Sequence, residues 1–397
     1  MIHYKEEEMI KNHLIDDAIC QIPVSEYKDR VAKTRAEMTE EQFDALIIYS
    51  NPWHLSNVYW LSNFRAFDGI QPDPALLFLP LEGDPVLFCE KPIIPYCKDF
   101  TWIDDVRPVR PGFEESLKDF KNSGKFKRIG IVGAQYFALE FYKIVESVFG
   151  RETLFETDLL YRLKCIKSEN EIHIMRNAAR LADQSLLDLK ENIYDGMTER
   201  EAVQIMHTSL FMNGADSQAF DIMVQSGVNS GKYVLARGTD KKIRKGELLL
   251  VDTGVRYRNY VSDMGRGFAY GDINAHQQKL LDTALQAYQA GIPFLRPGMS
   301  SALASEAIDQ VLRENGFGSM HTAAGNRKCG HGLGMDPEEE YPVMGRKDHI
   351  LLENMCLAYE LTVQQPELGG CRVEDVVIIR KDGPEFLTCF PRNVRWD

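Results

Sequence analysis

With 397 residues the chain exceeds a single small domain, and two domains of roughly 150 to 240 residues are expected. Hydrophobic residues make up 44 % of it, enough for substantial cores. A formal charge of −13 excludes a nucleic-acid partner held by a basic surface, and the one basic run, KKIRK at 241–245, reads as a solvated turn.

The N-terminus, MIHYKEEEMI, is acidic and has no apolar core of the kind a signal peptide carries. No window approaches the run of about 18 apolar residues that a membrane span needs. The eight cysteines are scattered without a C-x-x-C pair, which fits reduced thiols and a cytoplasmic location. Residues 25–44 are predicted as a charge-rich amphipathic helix, and DALIIYS (44–50) as a buried strand. ALLFLP (75–80) and PVLFCE (85–90) flank the turn-like LEGD and predict a hairpin. RIGIVG (128–133) is a further strand, followed by a helix at about 136–148. This alternation predicts an α/β domain over residues 1–157. The GIVGAQ turn lacks G-x-G-x-x-G spacing and reads as structural.

Residues 158–397 form a second domain of different character. Apolar residues recur at helical spacing through 158–190, with Ser168 as N-cap and Glu171 completing a capping box. Further helices are predicted at about 198–213, 274–291 and 300–315. Strands are predicted at 248–254, 260–269, 355–363 and 372–380. Helices grouped beside an antiparallel sheet predict an α+β half.

This second half holds five residues of related chemistry. Asp252 ends an apolar strand, and Asp263 follows eleven positions later. A hairpin centred on the RYRN of 256–259 sets the two carboxylates directly opposite each other, about 4.5 to 5.5 Å apart at Cβ. Two such acids require a shared proton, a basic side chain or a metal ion. Glu360 and Glu374 lie fourteen positions apart, each within an apolar strand that ordinarily avoids acids. A strand glutamate often pairs with arginine, and Arg372 stands two residues before Glu374. His331 sits in CGHGLGMD, where glycines let backbone approach a ligand. Two Asp, two Glu and one His suit Mn²⁺, Fe²⁺, Co²⁺ or Zn²⁺ better than a thiolate-seeking metal.

The order D-x-G…S-D, G-H-G-x-G, an acid in a strand, then G-G-x-R-x-E-D resembles the superfamily of creatinase, prolidase, aminopeptidase P and methionine aminopeptidase. LKCIKSENEIHIMRNAARLAD resembles its K-S-x-x-E-I-x-x-M-R-x-A-A helix, and NVYWLSNF (57–64) its N-terminal N-I-Y-Y-L-T-G-F. The likeness runs from about residue 25 to FPR at 390–392. It implies a small creatinase-like N-terminal domain, a pita-bread catalytic domain and a homodimer. It also implies two divalent ions, taken here as manganese, on Asp252, Asp263, His331, Glu360 and Glu374. Phe64 and Arg65 fall where such N-terminal domains reach a neighbour's active site, so both are candidates for substrate contact.

Three histidines of the superfamily's proline peptidases are exchanged. None occurs between His207 and His276, Arg327 stands four residues before His331, and Glu338 stands seven after it. These exchanges point to a hydrolase of a C–N bond in a small polar substrate, with Xaa-Pro dipeptides as poor substrates. Arg327 either grips a substrate carboxylate or pairs with a nearby acid, and Glu338 or Glu339 moves protons. The alternatives are an Xaa-Pro peptidase, a metal-dependent lyase and a non-catalytic binding protein on the same fold. The EEYP text resembles the D-E-Y-P of the superfamily's dimethylsulfoniopropionate lyases.

Overall fold

The computed structural model describes residues 22–65, 73–124, 126–233, 236–317, 329–344, 349–392 and 394–396. The chain divides into two compact units, with the break between Lys164 and Cys165.

The first unit opens with α1 (Val24–Glu40), which buries Tyr27, Val31, Thr34 and Met38 at helical spacing. β1 (Ala45–Ser50) follows and is buried along its whole length. It lies between two neighbours in the sheet, which explains a continuous apolar run in place of alternation. Next come α2 (Ser56–Ser62), β2 (Ala75–Pro80), β3 (Val86–Cys89), α3 (Ile94–Phe100), β4 (Asp105–Pro108), α4 (Phe113–Ser123), β5 (Ile129–Val132), α5 (Leu139–Phe149), β6 (Leu154–Glu156) and α6 (Leu159–Lys164). The sheet order is β4-β3-β2-β1-β5-β6. The predicted β2–β3 hairpin forms, and β5 runs parallel to β1. Ile47, Phe78, Phe88, Phe113 and Phe141 share its core. The prediction missed α2 because all seven of its residues are buried and no polar face marks a period. It missed β4 because four half-buried residues carry too little pattern.

The stretch of helical spacing over 158–190 holds two helices, α6 and, from the expected cap at Ser168, α7 (Glu169–Asn192). Ser168 is in extended backbone, which stops the first helix from running into the second. The capping box is formed as expected, with Ser168 and Glu171 each satisfying the other's amide. The chain continues through α8 (Glu199–Met212), β7 (Ser217–Gln218), β8 (Met223–Ser226), β9 (Glu247–Thr253), β10 (Val255–Tyr257), β11 (Tyr260–Val261), β12 (Met264–Tyr270), α9 (Ala275–Gly291) and α10 (Ser301–Glu314). It ends in β13 (Gly330–Gly332), β14 (Glu339–Val343), β15 (Cys356–Gln365), β16 (Gly369–Arg380), β17 (Gly383–Phe386) and β18 (Val394–Trp396). The main sheet has the order β14-β13-β15-β16-β12-β9-β8. Leu281, Tyr288, Ile308, Leu357, Tyr359 and Val373 share a core that joins α9 and α10 to this sheet. Together the two halves make an α+β protein, an α/β unit followed by one in which helices pack on a largely antiparallel sheet.

No helix among the described residues is long and apolar enough to cross a membrane.

Candidate metal centre

Strand register brings the acids together. Gly265 on β12 pairs with Asp252 on β9 and, on its other side, with Glu374 on β16. Glu374 in turn pairs with Glu360 on β15. One row across the sheet therefore reads Asp252, Gly265, Glu374, Glu360, and residues in direct register project to one face. His331 pairs with Ala358, two residues from Glu360 on the same strand.

The expected pairing of Asp252 with Asp263 is corrected. Arg258 and Asn259 both take positive φ, 47° and 68°, and make a tight two-residue turn. That moves the hairpin centre one residue toward the C-terminus, so Tyr257 pairs with Tyr260 and Asp252 with Gly265. The shift between partners is an even number of positions, so Asp263 keeps the face of Asp252 as a diagonal neighbour.

The five residues fall into two groups that share Glu374. Asp263, His331 and Glu374 each place one donor atom within 4.8 Å of the others. His331 Nε2 is 3.6 Å from Asp263 Oδ2. On the other side, Arg372 Nε lies 3.0 Å from Asp252 Oδ2 and 2.7 Å from Glu374 Oε2, and Nη2 lies 2.7 Å from Glu360 Oε2. Arg372 Nη1 also donates to Thr362 Oγ1. Gly265 makes room for this arginine, since a Cβ there would meet Arg372 Cγ and Cδ at 2.6 Å. The centrality of Arg372 was hidden in the sequence, where it looked like a partner for one glutamate only.

The donor set fits divalent cations. All but half-buried Glu360 are buried. One oxygen each of Asp252, Asp263 and Glu374 is buried and accepts no hydrogen bond among the described residues. Orphaned carboxylate oxygens facing one another are costly without a cation. Burial lifts Asp252 to about 6, with Arg372 opposing and Glu360 adding to the rise. Glu374 is lifted to about 8, chiefly by burial and against the pull of Arg372. Burial, then Glu374 and Asp252, push Asp263 well above the carboxylate range. Hard oxygens plus one imidazole match Mn²⁺, Fe²⁺, Co²⁺ or Zn²⁺.

The remaining candidates scatter. Glu339 is buried and bound to Lys167 at 2.8 Å, so its carboxylate is engaged in an ion pair. Glu338, its neighbour, is exposed. Phe64 is only 2 % exposed. Arg65 is half-buried. Arg327 lies outside the described residues.

Behind Glu374, Asp375 is fully buried among Arg266, Arg392, Tyr288 and Thr388. Burial alone would raise its pKa, but the two guanidinia and the two hydroxyls hold it down to about 2. Arg266 also donates to the Gly265 and Glu374 carbonyls and so fixes the backbone that carries the acid row.

Two family models match the chain. One, metallopeptidase family M24, covers residues 173–381, and the other, the creatinase/prolidase N-terminal domain, covers residues 30–164. The Xaa-Pro dipeptidase of Pyrococcus horikoshii is 29 % identical over 92 % of this chain and 98 % of its own length. The Xaa-Pro dipeptidase of Pyrococcus furiosus is also 29 % identical, over 92 % of this chain and 99 % of its own length. The crystal structure of the prolidase from Pyrococcus horikoshii OT3 superposes with a TM-score of 0.81 at 25 % identity, covering 92 % of this chain and 99 % of that one. These likenesses favour the Xaa-Pro alternative over the small-substrate reading drawn from the exchanged histidines.

Proposed function

Since this chain belongs to metallopeptidase family M24 and is a metal-dependent hydrolase of C–N bonds, we propose that it cleaves Xaa-Pro dipeptides. The observation that carries the reading is the pair of acid groups meeting at Glu374, in a chain alignable with dipeptidases over nearly their whole length. Asp263, His331 and Glu374 would hold one divalent ion, and Asp252 and Glu360 with the shared Glu374 a second. Bound there, such ions supply Lewis acidity, polarising a scissile carbonyl and lowering the pKa of water. The protein's own residues do the rest. Arg372 restrains Asp252, Glu360 and Glu374 in one geometry. In this reading Glu338 would exchange a proton with the leaving nitrogen, Arg327 would grip the substrate carboxylate, and Arg65 would offer an anion contact in a neighbour's site. Manganese as the metal, a homodimer and a cytoplasmic location belong to the same proposal.

One second reading rests on a specific observation. Glu338 and Arg327 stand where the proline peptidases carry histidines, which favours a small polar, carboxylate-bearing C–N substrate that is not a dipeptide. Incubation of the Mn²⁺-loaded protein with Gly-Pro and Ala-Pro tests both. The dipeptidase reading expects free proline with kcat/KM of about 10⁴ M⁻¹s⁻¹ or more. Failure on dipeptides with turnover of a small amide or amidine supports the second reading. An acrylate-type product formed without incorporation of solvent oxygen would instead favour a lyase.

A further inference from the structure

Lys167 and Glu171 flank the N-terminus of α7, and neither belongs to the acid cluster. Each nevertheless reaches the segment that carries one of two adjoining candidate ligands. Lys167 Nζ donates to Glu339 Oε2 at 2.8 Å, with both side chains buried. The other oxygen of Glu339 accepts the Met335 amide at 3.3 Å. Glu339 also pairs across β13 with Gly332, the residue after His331. A side chain at Gly334 would collide with Lys167 Cε and with Glu339, so the loop closes tightly over this ion pair.

Glu171 holds the other segment. Its Oε2 accepts the Ser168 amide, and its Oε1 accepts the Tyr260 hydroxyl at 2.8 Å. Tyr260 stands in the hairpin three residues before Asp263. The two segments are also tied to each other. Val261 N donates to Gly334 O at 2.8 Å, and Arg256 Nη1 donates to Met335 O at 2.7 Å.

We infer that Lys167 and Glu171 are positioning residues that brace Asp263 and His331 in register for a shared cation. The inference rests on the metal-binding reading of that cluster. A buried lysine and glutamate at one helix start are costly to desolvate. Their shared placement fixes two loops against each other, and removing groups that orient metal ligands typically costs 10- to 100-fold in metal affinity.

Co²⁺ binding, read by its visible absorption and by titration, tests this without any turnover assay. For Lys167→Met we expect Co²⁺ affinity to fall at least about tenfold and the absorption band to change, at a temperature where circular dichroism matches the wild type. Lys167→Arg should restore most of the affinity. Glu171→Gln, which keeps the fold's charge burden lower, should show a smaller loss of the same kind, and it serves if Lys167→Met does not fold. Lys167→Met combined with Glu339→Leu removes the buried charges and should recover thermal stability but not Co²⁺ affinity. Full recovery of both in that double variant, or lowered Tm with unaltered Co²⁺ affinity and spectrum in the single variants, would overturn the inference and leave the metal reading intact. A wild-type protein that takes up no Co²⁺ would overturn both.

Discussion

Glu374 is the residue on which the two acid groups converge, and its carboxylate faces Arg372 with one oxygen while the other has no hydrogen bond among the described residues. Asp263 adjoins it, next to His331. Asp263→Ala should therefore abolish turnover and lower bound metal, which elemental analysis of the dialysed protein checks. Full metal content with normal activity would refute the ligand assignment. The pKa directions give a second prediction. In the metal-free protein Glu374 is raised from an ordinary value of 4.5 to about 8, so the folded chain holds a proton that the unfolded chain has lost. Stability then falls as pH rises through that window, because the folded state binds more protons. Denaturant midpoints of the apoprotein should drop from about pH 5 to about pH 8. Added Mn²⁺ should reverse the trend, since cation binding displaces those protons and tightens as pH rises. A flat apoprotein profile would sink this account of the acid row.

At the scale of elements, β12 and β16 carry the site on one side and its anchor behind. Gly265 and Glu374 are in register, while the adjacent Arg266 and Asp375 form a fully buried ion pair. Asp375 also binds Arg392, Tyr288 and Thr388, so its loss strands two guanidinia. Asp375→Ala should cost about 3 to 5 kcal/mol in urea unfolding. A loss under about 1 kcal/mol would mean that water or a rearranged acid takes over the pairing. The hairpin of β10 and β11 shows how little separates a correct pattern from a correct register. The RYRN text announced a turn, but the left-handed conformations of Arg258 and Asn259 centred it between those two residues, one position later than the middle of RYRN. Likewise the helical period through 158–190 was legible, whereas the break at Ser168 was legible only as a capping box inside that period.

For the whole molecule, the first unit has a complete six-stranded sheet and its own aromatic core, including Phe78 stacked on Phe120 at 4.4 Å. A fragment spanning 22–164 is predicted to fold alone and to unfold in one cooperative step. Calorimetry of that fragment checks it, and a non-cooperative trace would show that its core depends on the rest of the chain.

The sequence by itself determined the family and singled out the candidate acids and histidine, because acids in apolar strands and a glycine-bounded histidine are local anomalies that need no contact map. It also carried the N-terminal capping of α7 and the helical spans of α8, α9 and α10, whose periods are intrinsic to the chain. Tertiary structure alone decided which acids meet. Register set Gly265 between Asp252 and Glu374, and strand pairing brought Glu360 to Glu374. It also assigned Arg372 to three carboxylates and Glu339 to Lys167, 172 positions away in the chain. Side-chain partners across strands depend on turn geometry and long-range pairing, neither of which is encoded in spacing along one strand.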